Sequence, residues 1–446
     1  MNAGAGIRTW CAASTALRPK ELAGGEQRYE DDVRNEEDIV SCISEAKLSP
    51  DGTCIFTTDY DRKFSVYAFA PDVSQENQQY LAPYAQFASA DPNWAFAVNP
   101  YFNLNERETT TVLVSHRDQY IGLHNALWDT SKISEDENQH APSQKGPVNI
   151  SSKIVSYKLV NKLTEAVTAP LSLAWSPDGA YFYAGEQNQI AVFDMTYTDD
   201  PISTIRTIPS TRNKLKGGGW GFKGGVSALS PCPRTSTTNA DVLAAGTRTR
   251  FVGLYDAVSS QEITHFALPG TINGKRTDNP NMQDIIGQGV TQLKWSPDGQ
   301  YLYVAERSSD ALLIYDVRNF SLALGHCAGR QALTRQKMGF DVWAQMNEYD
   351  TDENHEIWAG GTDGKVRVWR NPYLREGAIE ADEVISVGED PVSNVLVHPY
   401  GHAAVVARGR YEVGGDVEAR GIKRGGLTEP AYREWGCLDI LGLGSY

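Results

Sequence analysis

Short apolar runs alternate along the chain with tight polar turns, and the turns repeat. Ser-Pro-Asp-Gly occurs at residues 49–52, 176–179 and 296–299. Weaker echoes are Asn99-Pro100-Tyr101, Ser230-Pro231-Cys232-Pro233 and His398-Pro399-Tyr400-Gly401. Each follows an apolar run, such as Leu171-Ser172-Leu173-Ala174-Trp175, and precedes another, such as Tyr181-Phe182-Tyr183-Ala184. Proline presets φ at the first turn position, Asp suits the second, and Gly takes the positive φ that closes the turn. The pattern predicts a hairpin. Further on comes a third run with an aromatic end, as in Phe64-Ser65-Val66-Tyr67, Ile190-Ala191-Val192-Phe193-Asp194, Leu312-Leu313-Ile314-Tyr315-Asp316 and Val366-Arg367-Val368-Trp369. Three strands with this punctuation make one propeller blade.

Seven such units are centred on residues 43–67, 94–128, 171–194, 226–256, 290–316, 339–369 and 393–441. Seven blades of about 40–45 residues need about 300. The surplus is assigned to loops at 129–153 (polar, expected to be disordered), 269–289 and 408–432, and to an acidic connecting arm at 15–42. The last unit has strands near 392–397, 403–407 and 437–441 and lacks a fourth. Residues 7–13 are expected to supply it, because a ring must close without exposed strand edges. The predicted organisation is a closing strand in 1–14, the arm, and an all-β seven-bladed propeller over 43–446: a single closed ring with long loop insertions.

The 446 residues carry 41 Lys and Arg against 56 Asp and Glu, a net charge of −15, which excludes coating of nucleic acid or anionic membrane through bulk charge. The average hides a reversal. Residues 1–200 hold 15 basic and 28 acidic side chains, 201–340 hold 16 and 9, and 341–446 hold 10 and 19. A basic middle flanked by acidic ends points to an anionic partner engaged locally. The six cysteines form no C-x-x-C pair and read as reduced, mostly buried thiols. No apolar stretch reaches the roughly 18–20 residues that span a bilayer, and no signal-peptide h-region opens the chain. A soluble intracellular protein is expected, with no membrane partner.

Catalytic motifs fail on inspection. His116-Arg117-Asp118 has a kinase-loop appearance, but position 123 is Leu and no Gly-rich loop with a paired Lys supports it. The run from Gly217 to Gly225 lacks the Lys-Ser/Thr of a phosphate loop. No metal-ligating spacing and no G-x-S-x-G elbow is present, so neither enzyme activity nor a cofactor is expected. The remaining chemistry is the positive middle. Arg206, Arg212, Lys214, Lys216 and Lys223 lie between the third and fourth units, and Arg248 and Arg250 precede the Phe251 strand. Lys275 and Arg276 follow, and Arg307 occupies the equivalent turn one unit on. Trp220 and Phe222 interleave with these cations. Cations and aromatics mixed on loops suit phosphates and unpaired bases. The candidate RNA-binding set is Arg212, Lys214, Lys216, Trp220, Lys223, Arg248, Arg250 and Arg307. A separate box, Tyr315-Asp316-Val317-Arg318, matches the loose blade-end pattern of propellers that serve as ubiquitin-ligase substrate receptors. It supports an alternative: a protein-interaction scaffold without RNA contact.

With these units in place the chain resembles a WD-repeat protein, although Trp369 is followed by Arg370 rather than Asp and Gly-His openings are absent. More closely, it resembles the telomerase Cajal body protein family and its fungal relatives, over residues 43–407 and the final strand. The resemblance is carried by residues 44–67, 116–125 with Leu127, and Ser156-Tyr157-Lys158-Leu159-Val160-Asn161 running through Thr164-Glu165 into 171–179. Gly224-Gly225-Val226-Ser227-Ala228-Leu229, Phe251-Val252-Gly253-Leu254-Tyr255 and Phe340-Asp341 complete it. It implies a non-catalytic scaffold for small nuclear, Cajal-body-type or telomerase RNA and ribonucleoprotein proteins. It also implies a nuclear location, with the cytoplasm left open, a link to pre-mRNA splicing in the fungal relatives, and no DNA partner. The chain departs from the animal pattern in lacking a long Pro-rich N-terminal region. No individual RNA contact is carried over from the family.

Overall fold

The computed structural model describes residues 7–16, 41–69, 73, 78–132, 146–162, 164–210, 221–234, 241–272, 275–277, 282, 284–320, 322–345, 354–413, 423–424, 427–428 and 432–445. Seven antiparallel blades form the predicted propeller, and no α-helix occurs among the described residues. The strands of a blade are labelled a to d from the axis outward. Blade one is Ile43–Leu48, Cys54–Asp59, Lys63–Ala68 and Ala85–Ala88; blade two is Asn93–Val98, Thr111–His116, Ile121–Asn125 and Lys153–Tyr157. Blade three is Ser172–Trp175, Tyr181–Gly185, Gln189–Asp194 and Ser203–Arg206. Blade four is Val226–Pro231, Val242–Thr247, Phe251–Asp256 and Gln261–Ala267. Blade five is Val290–Trp295, Tyr301–Glu306, Leu312–Asp316 and Gly325–Cys327; blade six is Phe340–Trp343, Glu356–Gly360, Lys365–Arg370 and Glu383–Ser386. Blade seven is Val392–Val397, Ala403–Val413, Tyr432–Ser445 and, from the other end of the chain, Ile7–Ser14.

The repeated tetrapeptide closes the a–b turn as its chemistry predicts. In blade one Ser49 Oγ donates to Asp51 Oδ1 at 2.5 Å, and Gly52 donates its N–H to Ser49 O at 2.9 Å. Gly52, Gly179 and Gly299 have φ of 73°, 68° and 70°, the left-handed region that Gly enters without a Cβ penalty. Between blades the apolar faces interlock. Seven buried clusters each fill one gap between neighbours, for example Phe56, Phe64, Phe96 and Val114 between blades one and two. Indole N–H groups pin some gaps: Trp175 donates to Ala97 O at 3.1 Å and Trp295 to Ser230 O at 2.9 Å. Five of the six cysteines are buried, and all are free thiols.

Blade seven is a joint of the two chain ends. Ile7–Ser14 runs antiparallel to Tyr432–Ser445, pairing Ile7 with Ser445 and Ser14 with Asp439, with a bulge between Cys11 and Ala13. Ser14 Oγ donates to Asp439 Oδ1 at 2.6 Å, and Arg408 Nε donates to Asp439 Oδ2 at 2.6 Å.

Several loop assignments need correction. Six of the three-strand units become four-stranded through an outer strand that the apolar pattern did not reveal, and blade seven takes Ile7–Ser14 as its outer strand. Within 129–153, Val148–Asn149 adds a parallel fifth strand to blade one and Lys153 opens the outer strand of blade two, while 133–145 lies outside the described residues. Within 269–289, Thr271–Ile272 pairs with Lys275–Arg276 as a small hairpin. The 408–432 loop is shortened at both ends by a ribbon that pairs as far as Val413 with Tyr432. Most of the acidic arm, residues 17–40, lies outside the described residues.

Candidate nucleic-acid interface

The b–c turns of blades four and five lie on the same face as the connections that enter each strand a. Arg248 follows strand b of blade four and donates its N–H to Gly225 O, just ahead of strand a, at 3.0 Å. One blade on, Arg307 donates its N–H to Gly289 O at 2.9 Å, and Gln288 donates back to Arg307 O at 2.7 Å. Gly289 also abuts the Arg248 backbone: at φ 120°, a Cβ there would stand 2.7 Å from Arg248 O. The same glycine therefore fixes both arginine turns, and it holds them side by side.

Both side chains are exposed, and among the described residues neither forms an ion pair. Partial burial, reinforced by the charge of Arg307, holds the Arg248 guanidinium below its ordinary pKa. A guanidinium titrates so far above neutrality that Arg248 keeps its charge despite this lowering. Two adjacent, uncompensated cations in a rigid frame attract an anion with closely spaced charges.

Arg250 requires a correction. Expected at a phosphate, it is 4% exposed. Its φ of 67° turns it inward, where Nε and Nη2 grip Glu306 Oε1 and Oε2 at 2.7 and 2.8 Å. Nη1 donates to Thr271 Oγ1 at 2.7 Å, and Nη2 also reaches Pro269 O at 2.8 Å. Glu306 belongs to blade five, so Arg250 is an inter-blade tie beneath the exposed pair. Phe222 is corrected likewise: it is fully buried and stacked on Phe251, with centroids 5.5 Å apart and planes at 2°. Lys223 is half-buried at the edge of the same sector, and its carbonyl accepts from Thr249 Oγ1. Arg206, Lys275 and Arg276 are exposed nearby. Arg212, Lys214, Lys216 and Trp220 lie outside the described residues.

The channel along the ring axis holds a charged cluster that no motif announced. Glu45 stands 2.9 Å from Lys337 Nζ and 3.3 Å from Lys47 Nζ, and Lys294 pairs with Asp341. Burial pushes the Glu45 carboxyl up, but Lys337 and Lys47 outweigh it and bring the pKa to about 2. These residues come from strands far apart in sequence, so only ring closure unites them. The Tyr315-Asp316-Val317-Arg318 box sits at a c–d turn, with Arg318 Nη2 2.6 Å from Asp316 Oδ2 and largely exposed. Among the described residues no group of three or more His, Cys, Asp or Glu is placed to hold a metal, and no helix is long and apolar enough to cross a membrane.

Comparison with known proteins agrees with this architecture. The WD domain, G-beta repeat model matches residues 282–316, most of blade five. The chain is 27% identical over 341 residues to the guanine nucleotide-binding protein negative regulator 1 of Schizosaccharomyces pombe, covering 74% of this chain and 71% of that one. It is 26% identical over 330 residues to telomerase Cajal body protein 1 of Bos taurus, covering 72% and 49%. It is 21% identical over 350 residues to protein SWT21 of Zygosaccharomyces rouxii, covering 77% and 70%. The matched region is thus about half the length of the bovine relative. The chain is a seven-bladed β-propeller with one stretch that matches the WD repeat, and it is similar to these proteins.

Proposed function

We propose that this WD-repeat propeller is a non-catalytic nuclear scaffold that binds small nuclear or Cajal-body-type RNA together with ribonucleoprotein proteins. It would support ribonucleoprotein maturation, localisation or pre-mRNA splicing. The observation that carries the reading is the Arg248–Arg307 pair: exposed, without ion-pair partners among the described residues, and locked together by Gly289. The surrounding segment, 201–340, has 16 basic against 9 acidic side chains in a chain of net charge −15. Such a confined basic sector selects an anion at one place while the acidic remainder repels nucleic acid elsewhere. The Cajal body name of the bovine relative gives the RNA class its direction. Crosslinking and sequencing of bound RNA tests the class. An R248A/R307A variant tests the patch: each lost phosphate contact lowers the slope of log affinity against log salt by about 0.7 for single strands and about 0.9 for duplex. Unchanged affinity and slope would refute the assignment.

The second reading, a protein-interaction scaffold without RNA, is favoured by one observation. Arg318 is presented from the blade-five c–d turn, braced on Asp316. Co-purification of a ligase adaptor that is lost on Arg318→Ala, from particles containing no RNA, would establish it.

A further inference from the structure

The two arginine turns are members of a set. In four blades the residue that follows strand b donates its N–H to the carbonyl of the residue that precedes strand a, and in blade seven Gly409, within its longer strand b, makes the matching bond. These bonds are Tyr60 to Cys42 at 3.2 Å, Arg117 to Pro92 at 3.1 Å, Arg248 to Gly225 at 3.0 Å, Arg307 to Gly289 at 2.9 Å, and Gly409 to Pro391 at 2.9 Å. Blade symmetry therefore puts Tyr60, Arg117, Arg248 and Arg307 at equivalent places around one mouth of the channel. Arg117, which belongs to the kinase-like tripeptide, is exposed there. Among the described residues its one ion pair is with the adjacent Asp118, at 3.3 Å, with the side chains 61% and 73% exposed. Exposed pairs of this kind contribute little and exchange readily for a phosphate.

Beside it stands an aromatic that packing does not require. Trp94 is the second residue of strand a of blade two, at the bulge after Asn93, which faces His116 across the sheet, and two residues after the Pro92 that anchors Arg117. It is 40% exposed, whereas Trp175, Trp295 and Trp369 are each below 8%. Tyr60, the blade-one equivalent of Arg117, is also 40% exposed. Cations that hold a phosphate backbone, set beside exposed rings that accept a base face, form the combination used to bind unpaired nucleotides. Base-paired RNA buries its base faces and gains nothing from the rings.

We infer that the propeller mouth carries a single-strand site, with Arg117 on a phosphate and Trp94 under an unpaired base, continuing the Arg248–Arg307 contact around the ring. The inference rests on the RNA reading above and narrows its ligand from RNA in general to an unpaired segment. Tyr60 extends the track onto blade one.

The test uses the full chain and two probes: fluorescein-labelled oligoadenylate as a single strand, and the same strand annealed to oligouridylate. Trp94→Ala is expected to weaken single-strand binding roughly 5- to 100-fold, the range of losing one base stack, and to leave duplex binding unchanged. Trp94→Phe keeps a ring and is expected to retain most of the affinity, which separates stacking from a folding defect. Arg117→Ala is expected to lower the salt slope for the single strand by about 0.7. If Trp94→Ala and Arg117→Ala both bind the single strand like wild type while R248A/R307A loses affinity, this inference fails and the broader RNA reading stands. If the wild-type protein binds neither probe, both fail together.

Discussion

Arg250 directs all of its side-chain nitrogens into the protein, while Arg248, two residues earlier, directs its charge into solvent. A backbone φ of 67° separates the two roles. The buried Arg250–Glu306 pair ties blade four to blade five. Removing one partner leaves a desolvated charge, which typically costs about 3–5 kcal/mol. Glu306→Gln is therefore expected to lower stability by about that amount in urea unfolding. An Arg250→Met/Glu306→Leu double variant is expected to recover most of the loss, since an apolar pair has no charge to desolvate. Histidines set a second expectation at this scale. His116 and His124 are buried between blades one and two around Phe87. Burial first, and nearby positive charge next, lowers the pKa of His116 to about 4; burial lowers that of His124 to about 4. The unfolded chain then binds protons that the folded chain does not, so stability falls as pH drops from about 6.5 toward 4 and is unaffected by these groups above that window. Thermal unfolding across that range should show the slope, and His124→Asn should flatten it.

Elements differ in how far sequence reports them. The inner strands are apolar and lie between conserved-geometry turns of Ser, Pro, Asp and Gly, so their positions could be read directly. The outer strands could not. Gln261–Ala267 is exposed over most of its length, and Ser203–Arg206 buries only Ile205. A strand with one solvated face and one edge in water has little apolar periodicity to display. Turn chemistry also ranks its own substitutions. Gly179 has φ 68°, and a would-be Cβ would meet side chains, the Tyr101 ring at 3.2 Å and Pro100 Cγ at 3.8 Å. Gly364 has φ 70°, but a Cβ there would meet Gly388 O at 2.1 Å, a backbone atom that cannot step aside. Gly179→Ala is expected to cost about 1 kcal/mol and Gly364→Ala distinctly more, as chemical denaturation of the two variants would show.

At the scale of the whole molecule, stability depends on closure. Ile7–Ser14 completes blade seven, and Ser14 joins a buried network with Asp439 and Arg408. Removing residues 1–14 uncovers an edge of Tyr432–Ser445 and strips the apolar cluster that contains Ala13. A fall in melting temperature of roughly 10 °C or more is expected from the loss of several kcal/mol. An unchanged melting curve would show that the ring holds without its clasp. The same closure decides the electrostatics. Glu45, Lys337, Lys294 and Asp341 converge in the channel only because blades one, five and six surround one axis.

The sequence by itself determined the blade count, the a–b turns and the segment that carries the cations, because turn chemistry and apolar runs are local properties of the chain. Tertiary structure decided which cations face outward. Arg248 and Arg307 lie 59 positions apart and become neighbours through Gly289, while Arg250 is withdrawn by a carboxylate on the next blade. It likewise turned Arg117, unremarkable in a discarded motif, into the symmetry equivalent of both. Charge, burial and neighbourhood depend on which blades meet, and that is fixed only when the ring closes.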